Sequence, residues 1–267
     1  MAIIQDSISS YKDDILNFCR DTFSWGDYIH EVWNSWIKDG GLVVYEDNKT
    51  AIAMCHAVKY ESERMLWIEG IRVKEEYRKK GIAIQLIKHF EKIAKGSGIL
   101  QANMLIETEN LSSLNLAKKL NYKIISQWNY YSLGSKKNSN NKIKFASIDI
   151  SELYNFKGIR FVDSWRWIPL VKSNFNILKS QGNILCLKKD DVIQSLGVIS
   201  ESSSFHDTII LTIIFGTIDD IYKIISYTQN LAMAKKYSKI RILTERDDLI
   251  INNIGNKFPF YLLEKIL

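Results

Sequence analysis

The sequence predicts an α/β protein whose two halves run through the same order of elements. Three observations carry this reading. Leu66–Lys95 reads as strand, basic turn and helix; β-branched runs alternate with helical repeats around it; and a similar succession returns after a polar segment at Gly134–Lys142. At 267 residues, 46% hydrophobic and 25% charged, the chain has the length for two ordinary domains and the composition of a soluble globular protein.

Ser7–Arg20 is predicted as a first helix, with Ile8, Ile15, Leu16 and Phe18 as buried candidates and Asp13 and Asp14 near its start. An aromatic turn, Thr22–Tyr28, leads to a second helix, Tyr28–Lys38, with Asp27 as its cap and Gly40-Gly41 as its stop. Leu42–Tyr45 and Ala51–Tyr60 flank Glu46-Asp47-Asn48-Lys49 and read as an antiparallel hairpin. The central strand carries Trp67, Ile68, Ile71 and Val73; strict alternation puts Glu69, Ile71 and Val73 on one face and Ile68, Gly70 and Arg72 on the other. The long helix follows with Ile82, Leu86, Phe90 and Ile93, then a strand at Asn103–Glu107, a helix at Leu111–Leu120 and a strand at Tyr122–Leu133.

Residues 134–142 read as a linker between domains at 1–133 and 143–267. In the second half, Ile184–Leu187, Val192–Ile199 and Thr208–Phe215 read as strands, Ile218–Lys235 as a helix and Lys239–Leu243 as a strand. Asp247–Ile254 follows as a helix and Phe260–Leu267 as a strand, with Tyr154–Leu170 crossing between domains.

The turn Arg78-Lys79-Lys80-Gly81 has the makings of an anion site. The first turn of a helix leaves backbone N–H groups without intrahelical partners, Gly81 lets a ligand come close, and the cations add charge. It is neither the dinucleotide fingerprint nor a Walker loop. Val73 followed by Arg78-Lys79-Lys80-Gly81-Ile82-Ala83 resembles the Arg/Gln-x-x-Gly-x-Gly/Ala motif of the GNAT-type N-acetyltransferases, and the order of elements over 1–133 resembles that family throughout. The resemblance implies two GNAT-like domains, each a mixed, mostly antiparallel sheet flanked by helices, the second degenerate. It also implies acetyl-CoA as co-substrate, its pyrophosphate held by the N–H groups of Lys79, Lys80, Gly81, Ile82 and Ala83, with Arg78 at the first motif position and Ile71, Arg72 and Val73 on the adjoining strand.

Acetyl transfer to an amine needs a base for the amine and a proton for the leaving thiolate. Glu69 is the implied base, with a salt bridge to Arg72 as its plain structural alternative, and Glu107 is second choice. Asn110 and Ser113 are placed by resemblance near the pantetheine and thiol. Where the family has a tyrosine acid, this sequence has Ala117; Tyr122 is not at that position. Trp25, Asp27 and Tyr28 lie on the segment that covers the acceptor in the family, and equally suit simple packing. The second half has only Phe215-Gly216-Thr217-Ile218-Asp219-Asp220 before its helix, so one acetyl-CoA per chain is expected.

The net charge of +6 suits an anionic co-substrate, and no stripe of Lys/Arg interleaved with aromatics points to nucleic acid. Cys19, Cys55 and Cys186 fit no disulfide framework, and His30, His56, His89 and His206 have no metal-ligand spacing. No membrane-length apolar run or secretory leader is found, which reads as cytoplasmic. A monomer or homodimer is expected. The implied activity is direct acetylation of a primary amine: a small amine, an amino acid or a protein amine. The alternative is a weak or inactive acetyl-CoA-binding regulatory module.

Overall fold

The computed structural model describes residues 2–4, 8–20, 22, 26–138, 143–156, 158–201, 207–249 and 255–267. The first half holds β1 (Ala2–Ile4), α1 (Lys12–Cys19), α2 (Ile29–Asp39), β2 (Leu42–Asp47), β3 (Thr50–Tyr60), β4 (Met65–Val73), α3 (Ile82–Gly96), β5 (Gln101–Glu107), α4 (Leu111–Lys119) and β6 (Lys123–Gly134). The second holds β7 (Arg160–Asp163), β8 (Arg166–Pro169), α5 (Lys172–Ser180), β9 (Ile184–Lys189), β10 (Val192–Glu201), β11 (Thr208–Phe215), α6 (Ile218–Ala234), β12 (Lys239–Thr244) and β13 (Gly255–Ile266).

Two separate sheets are not distinguished. Eleven strands share one hydrogen-bonded order, β1-β2-β3-β4-β5-β13-β6-β12-β11-β10-β9, while β7 and β8 pair by themselves. The sheet is mixed and mostly antiparallel, with parallel pairs where a helix crosses over: β4 with β5 around α3, and β11 with β12 around α6. By compactness the chain divides into Met1–Ile125 with Leu262–Leu267, and Ser126–Tyr261. The strand that closes each half thus contributes to the other unit.

In the first unit α1 and α2 put Ile15, Cys19, Ile29, Val32, Trp33 and Trp36 against Leu42, Val44 and Met54 of the sheet. α1 is preceded by a short 3-10 turn, Ile8–Tyr11, and α2 ends at Gly40 in the left-handed conformation, φ +74, as its Gly-Gly stop suggests. The C-terminal segment is a working part of this unit. Leu262 and Leu263 are buried, Leu267 N donates to Leu100 O at 2.9 Å, and Asn103 Nδ2 donates to Leu263 O at 3.2 Å.

In the second unit α6 covers β11 and β12 with Ile221, Ile224, Ile225 and Ala232. The stretch read as a crossing between domains instead lies within this unit as the β7–β8 hairpin, docked by Val162 N donating to Thr212 Oγ1 at 2.9 Å and Ser200 Oγ to Val162 O at 2.7 Å. Asp247–Leu249 is not helical, and 250–254 lie outside the described residues. There Arg246 takes the place of a helix start, donating to Asp248 at 2.8 Å and to Gly216 O. Asn138 of the expected linker donates through Nδ2 to Ser226 O of α6 at 3.1 Å, and 139–142 are outside the described residues.

Candidate active site

β4 supplies the centre of the site. Its antiparallel register with β3 pairs His56 with Glu69 but Met54 with Arg72, so β4 carries one extra residue at Gly70-Ile71. Gly70 has φ +63, and a Cβ there would lie 2.2 Å from the Trp36 ring, so only glycine fits. This bulge corrects the strict alternation expected from sequence. Paired residues share a face, and Met54, His56 and Val58 alternate regularly, so Trp67, Glu69 and Arg72 all lie on one face.

Glu69 is held at both oxygens. His56 Nδ1 lies 2.9 Å from Oε1, and Trp67 Nε1 donates to Oε2 at 3.0 Å. An ionised carboxylate only accepts hydrogen bonds, so Nδ1 carries the hydrogen. The His56 side chain is fully buried and its ring stacks on Trp36, centroids 4.5 Å apart and 5° from parallel. The Glu69 side chain keeps 13% exposure. His56 was not singled out from sequence beyond its lack of metal-ligand spacing. The available signal was a histidine inside the apolar run Ala51–Val58, a polar group that burial makes costly without a partner.

Arg72 makes a bidentate pair with Asp27, Nε to Oδ2 at 2.6 Å and Nη2 to Oδ1 at 3.1 Å. Asp27 Oδ1 also accepts from Ile29 N at 3.1 Å, so it ties down the start of α2 from just ahead of the cap residue, Tyr28. The Arg72 guanidinium lies 5.4 Å from the Tyr28 ring centroid. Burial raises the Tyr28 hydroxyl pKa, with Arg72 acting against it. Asp27 and Tyr28 are thereby pinned to the end of β4; Trp25 lies outside the described residues.

The basic turn sits where β4 gives way to α3. Arg78 Nε donates to Val73 O at 3.1 Å, folding the turn against the strand end, and Lys80 Nζ lies 4.7 Å from the Tyr77 ring centroid. Gly81 is the cap residue of α3 with φ +79; it offers no capping side chain, and the first turn of the helix has no acidic residue. A Cβ at Gly81 would meet no protein atom within 4 Å, so the space there is open. β4 and β5 pair only from Met65–Trp67 to Gln101–Asn103, although β4 runs on to Val73 and β5 to Glu107. The strands part beside an uncapped helix N-terminus, and Ile71, Val73, Arg78, Lys79, Lys80, Ile82 and Ala83 border this opening by their place in the chain. These features fit a pantetheine arm between strands and a pyrophosphate at the helix.

In the second unit the β11–β12 pair and the start of α6 are both closed. β11 and β12 pair through from Thr208–Ile213 to Lys239–Thr244. Thr217 Oγ1 caps α6 by accepting from Asp220 N, and Asp219 and Asp220 occupy the first turn. A Cβ at Gly216 would lie 2.4 Å from Ser195 Oγ.

On the far side of the opening, Glu107 ends β5. Asn110 Oδ1 caps α4 by accepting from Ser113 N at 3.1 Å, so this oxygen is engaged within the protein. Ala117 is buried in α4. The Tyr122 hydroxyl donates to Glu91 Oε1 at 2.9 Å, and Glu91 Oε2 meets Lys265 Nζ at 2.7 Å. Burial, then Glu91, pushes the Tyr122 pKa up, so it is a poor proton donor. The cysteines are buried; burial raises all three thiols, Cys19 to about 12 and Cys186 to about 11, which leaves them protonated at neutral pH.

The fold is similar to that of GNAT acetyltransferases. Residues 12–122 match the family model described as Acetyltransferase (GNAT) family. Over its whole length the chain is similar to a Thermoplasma acidophilum protein provisionally assigned as an acetyltransferase, at 14% identity with 100% of both chains covered and a TM-score of 0.62. It is similar to a GCN5-related N-acetyltransferase of Sphaerobacter thermophilus at 11% identity, covering 95% of this chain and 91% of that one, TM-score 0.58. A tandem GNAT protein from the clavulanic acid biosynthesis pathway is similar at 6% identity, covering 99% and 98%, TM-score 0.57. Comparison with curated proteins finds no match.

Proposed function

We propose that the chain is an N-acetyltransferase that moves the acetyl group of acetyl-CoA directly to a primary amine, with the chemistry on the first unit. The observation that carries this is the opening between β4 and β5, which faces an uncapped, acid-free start of α3 and lies on the same strand as a doubly held carboxylate. In this reading the N–H groups of Lys79 to Ala83, with Arg78 beside them, hold the pyrophosphate, and Ile71 to Val73, Asn110 and Ser113 border the pantetheine. Glu69 takes one proton from the ammonium, the amine nitrogen attacks the thioester carbonyl, and the C–S bond breaks. The thiolate takes the second proton, giving an acetamide and free CoA. Glu107 is the reserve base. Protonated, buried thiols give no ready nucleophile for an acetyl-cysteine intermediate, which supports direct transfer.

The second half, 143–267, is in this reading a degenerate GNAT-like domain joined through 134–142, and its capped, acidic helix start supports a single acetyl-CoA per chain. Titration calorimetry with acetyl-CoA tests this, followed by thiol release over a panel of primary amines. The expected outcome is one site and release with at least one amine; no binding at millimolar ligand, or two equivalent sites, overturns it. Ala117 in the core and Tyr122 locked on Glu91 favour a second reading, a regulatory module that binds acetyl-CoA without turnover. Binding at one site with no thiol release from any amine supports that reading.

A further inference from the structure

We propose that His56 is a positioning residue for Glu69, its Nδ1–H fixing the carboxylate in one rotamer and favouring its charged form. This deepens the reading of Glu69 as proton acceptor, and its main test does not require acetyl transfer.

The geometry is specific. A carboxylate on a strand ordinarily turns about its terminal bond, but here each oxygen meets a separate ring N–H, His56 at 2.9 Å and Trp67 at 3.0 Å. Those donors come from different strands, so their spacing depends on the β3–β4 register, which is regular from Tyr60–Met65 to His56–Glu69 and is interrupted only beyond Glu69, at the Gly70-Ile71 bulge. His56 is in turn fixed by its stack on Trp36, the residue that also forbids a side chain at Gly70. One tryptophan therefore packs on the donor and bars a side chain at the bulge that directly follows the acceptor. Ring N–H donors stabilise the charged carboxylate, offsetting what burial takes away. The charged and titratable groups that bear on Glu69 include His56 and Cys55 from β3 and Tyr28 ahead of α2, with Arg72, paired to Asp27, farther along the same face of β4. Arg72 makes a bidentate pair with Asp27, while His56 meets the Glu69 carboxylate directly at 2.9 Å.

Two variants separate hydrogen bonding from packing. His56→Phe keeps a ring to stack on Trp36 and removes the donor; His56→Asn loses the ring but puts an amide N–H close to the position of Nδ1. With carboxyl-13C-labelled glutamate, and Glu69→Gln to assign the signal, the Glu69 titration should move to higher pH in His56→Phe and return toward the parent in His56→Asn. An unchanged titration in His56→Phe, or a larger change in His56→Asn, overturns the proposal. The parent protein gives an independent check that needs no variant to fold. Its imidazole 15N spectrum should show Nδ1 protonated and coupled to the Glu69 titration, and a bare Nδ1 overturns the proposal. With an amine found active in the thiol-release panel, His56→Phe should lower turnover on the order of 10-fold with acetyl-CoA affinity unchanged, and move the acidic limb of the rate profile to higher pH. Unchanged turnover and limb count against the proposal, whereas loss of acetyl-CoA binding by the parent protein counts against the functional reading alone.

Discussion

At the scale of the residue, the site turns on Glu69, and its surroundings sharpen what Glu69→Gln should do. The amide removes the base but presents an NH₂ to one of two N–H donors, His56 Nδ1 or Trp67 Nε1. Histidine can move its proton to Nε2 and accept through Nδ1, so the amide nitrogen turns toward His56 and the fold survives. Turnover at neutral pH should fall on the order of 10²–10⁴-fold with acetyl-CoA affinity almost unchanged, the loss shrinking at high pH where more amine is already neutral. Rate profiles of both proteins, read beside their melting curves, check this. Full turnover at pH 7 would move the role to Glu107 or to water, and a fall in melting temperature with a small, pH-independent rate loss would make Glu69 structural. Sequence exposed Glu69 because a carboxylate inside an apolar strand is conspicuous. It hid His56, because which residue of a neighbouring strand comes to lie opposite Glu69 is a matter of register, and it put Arg72 on the wrong face, because the bulge at Gly70-Ile71 changes the parity of the strand beyond Glu69.

At the scale of the element, the strand–turn–helix unit was legible because its signals are local: a β-branched run, a basic glycine turn, apolar residues at helical spacing. α5 escaped notice, being short and polar, although Asn174 Oδ1 accepting from Val171 N at 2.9 Å shows how its start is held. The β7–β8 turn was equally silent, since Ser164 and Trp165 adopt φ of 49° and 66° without a glycine. The basic turn itself poses a question of backbone against side-chain charge. Gly81 is already left-handed, where a Cβ costs roughly 1–2 kcal/mol, and that Cβ would point into space bare of protein. Gly81→Ala should therefore weaken acetyl-CoA binding more than Lys79→Ala. The two dissociation constants decide it; an equal or reversed order means that lysine charge, and not close backbone approach, does most of the binding.

At the scale of the whole molecule, the order of elements along each half was readable, but the neighbour of β5 was not. A strand finds its partner through contacts distant in sequence, and no local pattern in 255–267 distinguishes one sheet neighbour from another. The consequence can be tested in the full chain. Residues 262–267 bring Leu262 and Leu263, both buried, into the first unit and place Lys265 on Glu91, the residue that also holds Tyr122. Deleting these six residues removes two core leucines, each worth about 2–5 kcal/mol when truncated, and strips β5 of backbone partners on the side away from β4. Because β5 is one wall of the opening, the deletion should lower the melting temperature and weaken acetyl-CoA at least tenfold, although it lies far in sequence from the Arg78–Ala83 turn. Lys265→Ala leaves the buried Glu91 carboxylate with the Tyr122 hydroxyl but without its cation, so it should lower the melting temperature while changing acetyl-CoA binding far less than the deletion does. A fragment ending at Gly134 should fail to bind acetyl-CoA alone and regain binding when a peptide covering 255–267 is supplied. If that fragment alone binds as tightly as the full chain, the first half is self-sufficient and the C-terminal strand merely rests against it.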